Sequence, residues 1–557
     1  MASINFLLND LQQQGFNLKK LQEIIPEIGM EIEKYDSAEI VFDITPNRSD
    51  MMDFTGFIRA LKMFTNTPTK NKVYEITNKP ILNLHVHKNV KKIRPFISLF
   101  IAKNINLKGN NLEYVLNFAD KLSITFGRKR KKFAIGLYDF DKIKPDIFYD
   151  AAENKKFIPL GETSEMSFTE IINKHEKGIK YKDAIPNTKG KKILFPFLKD
   201  SEKILSMIPI INSDYTKVTV NTKNIMFDIT GTSKKAVQQA INIFACSFID
   251  NGAEIYPVKI KYNNNVEISP IFEHRQIKVK ATDIEKKIGI VIDNKTILEL
   301  LSKMGYSYSS TSTKNTIIVN IPEYRIDLFD SQDIIEDIAI AYGYKNIKPK
   351  PIYGDFEAKA DPIRGYISEI SRFMLGLNFS ESINTYLTNE KINFENMQIN
   401  YNNKKTVNIL NAKTEAITIL RTNLLPGIFS NLEVSLTQKM PQKLFEIGSV
   451  FIVDNSSNVI EQLHLAFVSE HSKSNFAEIK SLIDALFKLI DIANYRFVDE
   501  KNNTFIEGRC AAILLNNKKI GVFGEVDPKV LNAFRLEEPA AAAEIILKEK
   551  IEYQFSI

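Results

Sequence analysis

A chain of 557 residues cannot fold around one hydrophobic core, because single cores stop growing beyond roughly 250–300 residues; about three or four globular units are expected. No internal repeat divides the chain evenly, so the units differ from one another. A composition of 44% hydrophobic and 25% charged residues is that of soluble globular proteins, which excludes wholesale disorder. The net charge of +7 is compatible with a polyanionic partner, but only its distribution could establish one. Cys246 and Cys510 lie far apart with no Cys-x-x-Cys spacing, so neither a disulfide framework nor a thiolate metal site is expected and the chain reads as intracellular. No basic leader precedes a long apolar run and no window offers 18 uninterrupted apolar residues, so neither export nor membrane spanning is expected. Walker-type, Gly-x-Gly-x-x-Gly, Gly-x-Ser-x-Gly and His-Glu-x-x-His signatures are all missing.

Hydrophobic periodicity divides the chain into four blocks. Residues 1–70 combine an amphipathic segment around Leu7, Leu8 and Leu11 with a strand beginning at Glu39 and a helical pattern through Phe54, Phe57, Ile58 and Leu61, giving a small α+β module. The Thr, Asn, Lys and Pro of 66–80 suit a linker. Residues 85–262 read as one α/β domain, with strands Phe133–Tyr138 and Ile225–Thr230 and a helix Lys235–Phe248. Residues 266–346 form a compact α+β module: strand 275–279, helix 295–304, strand 316–321 and helix 331–342. Residues 352–557 alternate helices with enough strands for a sheet of six or seven, including 443–451, 464–468 and 511–515.

Three constellations carry chemistry. From Pro322 to Tyr344 a buried stripe of Ile334, Ile335, Ile338 and Ala341 defines a helix capped by Asp330 or Ser331. Asp333, Glu336 and Asp337 share one face of its first two turns and Asp327 approaches from the preceding segment. Carboxylates that close repel, so they need solvent, the helix dipole or a hard cation such as Mg²⁺; a solvated acidic turn and a metal site both satisfy the pattern. Gly127 precedes the basic run Arg128, Lys129, Arg130, Lys131 and Lys132, which is either a phosphate contact or a solvated loop. Finally Asn212, and Asp228, Thr230, Gly231 and Thr232 where a strand runs into a helix, could read a hydroxyl, orient a water, or merely cap. His85 and His87 share a strand face but have no further ligands nearby and read as solvent-facing.

Together these segments resemble the β-subunit family of phenylalanyl-tRNA synthetases, in the shorter form of archaea and the eukaryotic cytosol. The resemblance runs through Asp43–Asp50, Gly127–Gly136, Pro209–Asn212, Phe227–Thr232, Tyr324–Tyr344, Leu420–Gly427, Leu444–Gly448 and Phe505–Cys510. It departs at Asp527, where similar proteins usually carry histidine, at Asn423, where serine is usual, and in a short N-terminal module.

The resemblance implies a cytoplasmic α2β2 heterotetramer that charges tRNA(Phe) with phenylalanine, the ATP and phenylalanine being bound mainly by the α subunit. It implies a multidomain α+β fold: an editing-type α/β domain at 85–262, a small α+β module at 266–346, and at 352–557 a class II synthetase-like antiparallel sheet with helices. That sheet is expected to be catalytically degenerate, since Leu444-Phe445-Glu446 lacks the ATP-contacting arginine, and to serve as the α-subunit interface. Ser206, Asn212, Asp228, Thr230 and Gly231 are implied as the site that hydrolyses Tyr-tRNA(Phe). Asp327, Asp333, Glu336 and Asp337 are implied as Mg²⁺-associated, and Arg128, Lys129, Arg130 and Lys131 as weaker candidates for tRNA phosphate contacts. The competing readings are a free-standing deacylase of mischarged tRNA and a non-catalytic tRNA-binding scaffold.

Overall fold

A strand that is buried along its whole length must be covered on both faces, and Ile225–Gly231 is such a strand. It runs antiparallel between Phe96–Lys103 and Phe133–Asp139 in a ten-stranded sheet. The computed structural model describes residues 2–66, 74–185, 193–263, 265–310, 316–351, 354 and 360–548. Part of the linker expected at 66–80, residues 67–73, lies outside them. The described chain falls into two units, 1–351 and 352–557.

In the first unit one face of the large sheet carries the helices Asn111–Ile124 and Lys234–Asp250. Phe118, Leu122, Ile241, Phe244 and Phe248 pack there against Phe100, Phe227 and Ile229. Phe227 stacks on Phe100 with ring centroids 5.1 Å apart and 8° between planes, and lies 4.4 Å from the Phe244 ring. The other face encloses a second core of Leu99, Tyr138, Tyr149, Leu198, Leu205 and Met226. The strands coil around this second core until the first in spatial order, Ile211–Asn212, returns beside the last, Phe133–Asp139, where the Asn212 amide donates to the Leu137 carbonyl at 2.9 Å. The sheet therefore has a seam.

Two three-stranded sheets also belong to this unit. Ala2–Leu7, Glu39–Ile44 and Glu31–Tyr35 form one, with Phe54–Phe64 packed on it. In its Thr45–Asp50 motif Arg48 makes two hydrogen bonds to buried Asp50, whose carboxylate also meets Arg59 at 3.2 Å, so the motif builds an ion-pair network. The other sheet, Gln276–Lys280, Thr316–Asn320 and Ser307–Ser310, carries the helices Asn294–Lys303 and Ser331–Tyr342. Asn265–Ser269, at the border between the second and third blocks, hydrogen-bonds to Glu254–Tyr262 of the large sheet.

The second unit is a seven-stranded sheet in the order 380–381, 442–453, 459–470, 540–548, 518–526, 505–515, 495–499, antiparallel except for the first pair. Pro362–Gly376 and Phe476–Leu489 pack on one face, and Leu425–Val434 and Pro528–Ala533 on the other.

Candidate active site

The pleat of Ile225–Gly231 turns Phe227 and Ile229 toward the helices, leaving Asp228 and Thr230 on the opposite face. Register sets Asp228 across from Gly136 and Leu99, and Thr230 across from Ala134 and Ile97. Gly136 is required there: a Cβ at that position would lie 2.2 Å from Asp228 Oδ1 and 2.5 Å from the Tyr138 hydroxyl. An isolated glycine in a strand pattern marks such close approaches.

The cleft opens at the seam of the sheet. Arg130 fixes the wall formed by residues 209 and 210, donating through Nη1 to the carbonyls of Pro209 at 3.1 Å and Ile210 at 3.0 Å. Its other terminal nitrogen reaches Asp120 at 3.1 Å, and its guanidinium stacks 3.8 Å from the Tyr181 ring centroid. Buried Arg94 donates to Thr230 Oγ1 at 3.1 Å and to the carbonyls of Thr230 and Arg130 at 2.8 and 3.1 Å. Between Arg130, Gly136, Tyr138, Pro209, Asn212 and Asp228 lies a cavity of about 30 Å³, room for one or two waters.

Asp228 is 2% exposed and its Oδ1 has no hydrogen-bond partner. Burial pushes its carboxyl up to about 7, against the smaller opposing pull of the Tyr138 hydroxyl and the Arg94 charge. The Tyr138 hydroxyl has one proton and gives it to Ser206 Oγ at 2.8 Å; burial, and next the Asp228 charge, hold that phenol well above its ordinary value. Arg94 is lowered by burial to about 10 and keeps its charge at neutral pH. A carboxyl that titrates near neutrality beside a water-sized space has the properties of a general base.

Of the five residues expected here, Asn212, Asp228 and Thr230 line the cleft and Ser206 stands behind Tyr138. Gly231 does not belong with them. A Cβ on it would meet the Lys132 carbonyl at 2.5 Å and Val237 at 2.6 Å, so it permits close packing at the strand end. Sequence reasoning passed over Arg94, Gly136 and Tyr138. Gly136 was visible as a lone glycine in an apolar strand, whereas Arg94 and Tyr138 offered no local pattern.

The basic run divides likewise. Arg128, Lys129 and Lys131 are exposed, whereas Arg130 turns inward to the bonds above and is not free for phosphate. Arg128, Lys129 and Arg130 have φ of 51°, 52° and 65°, a left-handed turn costing roughly 1–2 kcal/mol per non-glycine residue. Backbone N–H groups of 128, 129 and 130 donate to the carbonyls of Thr125, Ile124 and Ser123, which offsets part of that cost.

The acidic constellation is organised by an arginine. Buried Arg325 donates twice to Asp327, at 2.9 and 2.8 Å, and pairs with Asp337 at 2.7 Å. The Tyr306 hydroxyl also donates to Asp337. Asp333 closes a capping box at the start of the helix, accepting from the Asp330 N–H at 3.0 Å, and Glu336 is exposed. The counter-charge that the sequence called for is thus supplied by a guanidinium and a helix N-terminus. Among the described residues no three His, Cys, Asp or Glu side chains converge as a metal site, so these four carboxylates do not form a protein cage for Mg²⁺. Their all-oxygen chemistry matches Mg²⁺ only as one or two carboxylates on a hydrated ion.

In the second unit Glu446 is occupied by Arg421 at 2.6 Å and by the Asn384 amide at 2.7 Å. No helix among the described residues is long and apolar enough to cross a membrane.

Family profiles match three segments: "B3/4 domain" over 79–247, "tRNA synthetase B5 domain" over 277–344 and "Phenylalanyl tRNA synthetase beta chain CLM domain" over 353–547. These define a subunit of the aminoacyl-tRNA synthetase class. The chain is 31% identical to the phenylalanine–tRNA ligase beta subunit of Pyrococcus abyssi, over 97% of each protein. It is 34% identical to that of Methanocaldococcus jannaschii, over 98% of this chain and 100% of the relative. The crystal structure of an N-terminal fragment of the Pyrococcus horikoshii phenylalanyl-tRNA synthetase beta subunit superposes with a TM-score of 0.57 at 32% identity, covering 61% of this chain and 99% of the fragment. The chain belongs to the phenylalanine–tRNA ligase beta-subunit family.

Proposed function

We propose that the chain works as the β component of a cytoplasmic α2β2 phenylalanine–tRNA ligase and that its large sheet domain deacylates Tyr-tRNA(Phe). The need is physical: a mainly apolar synthetic pocket rejects an analogue bearing one extra hydroxyl only by a factor on the order of a hundred, so a second site must remove the product. The observation that carries the reading is the buried Asp228 carboxyl at the seam cavity, one of whose oxygens, Oδ1, has no hydrogen-bond partner.

In this reading a water's oxygen attacks the ester carbonyl while its proton passes to the Asp228 carboxylate. Thr230 Oγ1 already accepts from Arg94, so its hydroxyl proton is free to be donated to the developing oxyanion. As the intermediate collapses the bond to the ribose oxygen breaks, and Asp228 returns the proton to that leaving oxygen. Tyrosine and uncharged tRNA result. Asn212 and the wall held by Arg130 shape the side-chain end of the site, and Tyr138 with Ser206 supports it from behind.

We assign 1–70 to an N-terminal module, 85–262 to editing, 266–346 to the module around Arg325, and 352–557 to a degenerate class II core that meets the α subunit. ATP and phenylalanine belong mainly to that α partner. Arg128, Lys129 and Lys131 are the exposed candidates for tRNA phosphate. Mg²⁺, where bound by this chain, would be held by Glu336 with Asp333 and completed by waters, leaving Asp327 and Asp337 on Arg325. It would supply local charge neutralisation there.

The test uses the αβ complex. Asp228→Asn should strongly reduce deacylation of Tyr-tRNA(Phe) while phenylalanylation continues, and the isolated chain should give no phenylalanine-dependent pyrophosphate exchange. A wild-type complex unable to deacylate Tyr-tRNA(Phe) would overturn the editing assignment, and exchange by the isolated chain would overturn the division of labour.

A further inference from the structure

Two of the segments that the sequence singled out, 420–427 and 505–510, meet in the second unit at a cavity of about 270 Å³. Small-molecule sites begin at roughly this size. The cavity lies on the sheet face that carries the helix Leu425–Val434. Register sets Ile546 across from His464 and Glu544 across from Val522, and these four side chains make its floor. Met397, Ile399, Leu425 and Phe505 add apolar walls. None of the roles assigned above uses this space.

Its polar groups sort by what they have left to offer. Glu544 is fully used: Oε1 accepts from the Leu424 N–H at 3.0 Å and meets His464 Nδ1 at 2.8 Å, and Oε2 accepts from the Leu425 N–H at 3.2 Å. The anion site that a helix start offers is therefore filled by the protein itself, and Glu544 has no charge to spare for a ligand cation. What remains are mainly donors. Asn502 turns its carbonyl oxygen to the Thr504 N–H at 3.0 Å, which leaves its NH₂ group without a partner among the described residues. The Asn423 amide likewise has no partner among them. Lys519 supplies the cation of the lining, paired at 3.1 Å with Glu500 through side chains open enough to solvent that the pair is worth little.

One lysine and amide donors beside an apolar body fit a single negative charge on a hydrocarbon. A phosphomonoester would ask for a second cation. An amino acid would bring an ammonium group with no carboxylate free to receive it, and that burial is costly. We propose that this cavity binds a small apolar monocarboxylate, its carboxylate on Lys519 and the amides of Asn423 and Asn502, its hydrocarbon against Leu425, Phe505 and Val522.

Calorimetry on the full chain tests this with 3-phenylpropionate as the probe, beside 3-phenylpropanol, phenylalanine and phenyl phosphate. The acid should bind and the other three should bind at least about tenfold more weakly. Lys519→Met should weaken the acid about tenfold, whereas Glu500→Gln, which releases Lys519, should tighten it a few-fold. Val522→Phe fills the space and should abolish binding. Lys519 and Glu500 lie near the surface, so their opposite shifts carry the test if Val522→Phe fails to fold. No binding of the acid at millimolar concentration would overturn the proposal, as would equal affinity for the alcohol or for phenylalanine, or an unchanged affinity in Lys519→Met.

Discussion

Asp228 and Asp337 are both buried in the first unit, at 2% and 6% exposure, and they have opposite surroundings. Asp337 sits on Arg325 and accepts a hydrogen bond from the Tyr306 hydroxyl, so its charge is matched where it lies. Asp228 has Arg94 nearby, but Arg94 spends its hydrogen bonds on Thr230 and the Arg130 carbonyl, and one carboxylate oxygen faces the cavity unpaired. Burial is common to both. What separates a structural carboxylate from a reactive one is where the nearest guanidinium points.

The widest separation between the two sites is expected in activity. Asp228→Asn should reduce deacylation by about 10²–10⁴, the usual worth of a general base, as measured in single turnover with the αβ complex; Asp337→Asn should leave the rate within a few-fold once folded protein is counted. A residual rate near wild type for Asp228→Asn would equate the two aspartates.

The next contrast is in folding. Arg325→Met leaves Asp327 and Asp337 without their cation and should cost about 3–5 kcal/mol in denaturant titration. Adding Asp337→Leu should recover part of that loss. No recovery would mean that Arg325 matters for something other than charge.

The effect of pH is no larger and runs the other way. A carboxyl raised on folding from 3.8 to about 7 imposes no penalty below its unfolded value; the penalty grows as pH rises between about 4 and 7, at about 1.4 kcal/mol per unit, and is constant above that. Asp228→Asn should therefore match wild type at pH 4 and be more stable by a few kcal/mol at pH 8. Glu470, also raised to about 7 by burial, bends the wild-type curve in the same direction, so the difference between variant and wild type is the quantity to plot. A variant less stable than wild type at pH 8 would remove the strain argument.

The smallest effect concerns Mg²⁺. With Arg325 already in place, millimolar Mg²⁺ should raise the melting temperature of the full chain only slightly over monovalent salt of equal ionic strength, and Glu336→Gln should erase the difference. A large rise abolished by Asp327→Asn would instead restore a four-carboxylate site.

Much of this was legible in periodicity. The helix 331–342 and the strand from Glu39 follow from their apolar spacing, and seven strands stand where six or seven were expected. The cleft was legible only in part. Asp228 and Thr230 announced themselves as polar residues in an apolar strand, but their partners come from positions 94, 136 and 138, which the coiling of the sheet brings together over long sequence separations. The basic run was misleading at Arg130 for a related reason. Its three left-handed residues aim one side chain inward, and charge composition carries no record of that turn.

The stacking of Phe227 on Phe100 has a mechanical consequence. Asp228 is bonded to Phe227 within a strand held on both sides, so the two side chains are opposite ends of one rigid rocker whose pivot is the ladder. Trimming a ring on the far side is expected to tilt the carboxyl on the near side. In the editing reading proposed above, accuracy would be exposed to substitutions among phenylalanines that never meet substrate, and variation in that greasy layer is a route by which fidelity could drift while every residue of the cleft stays unchanged.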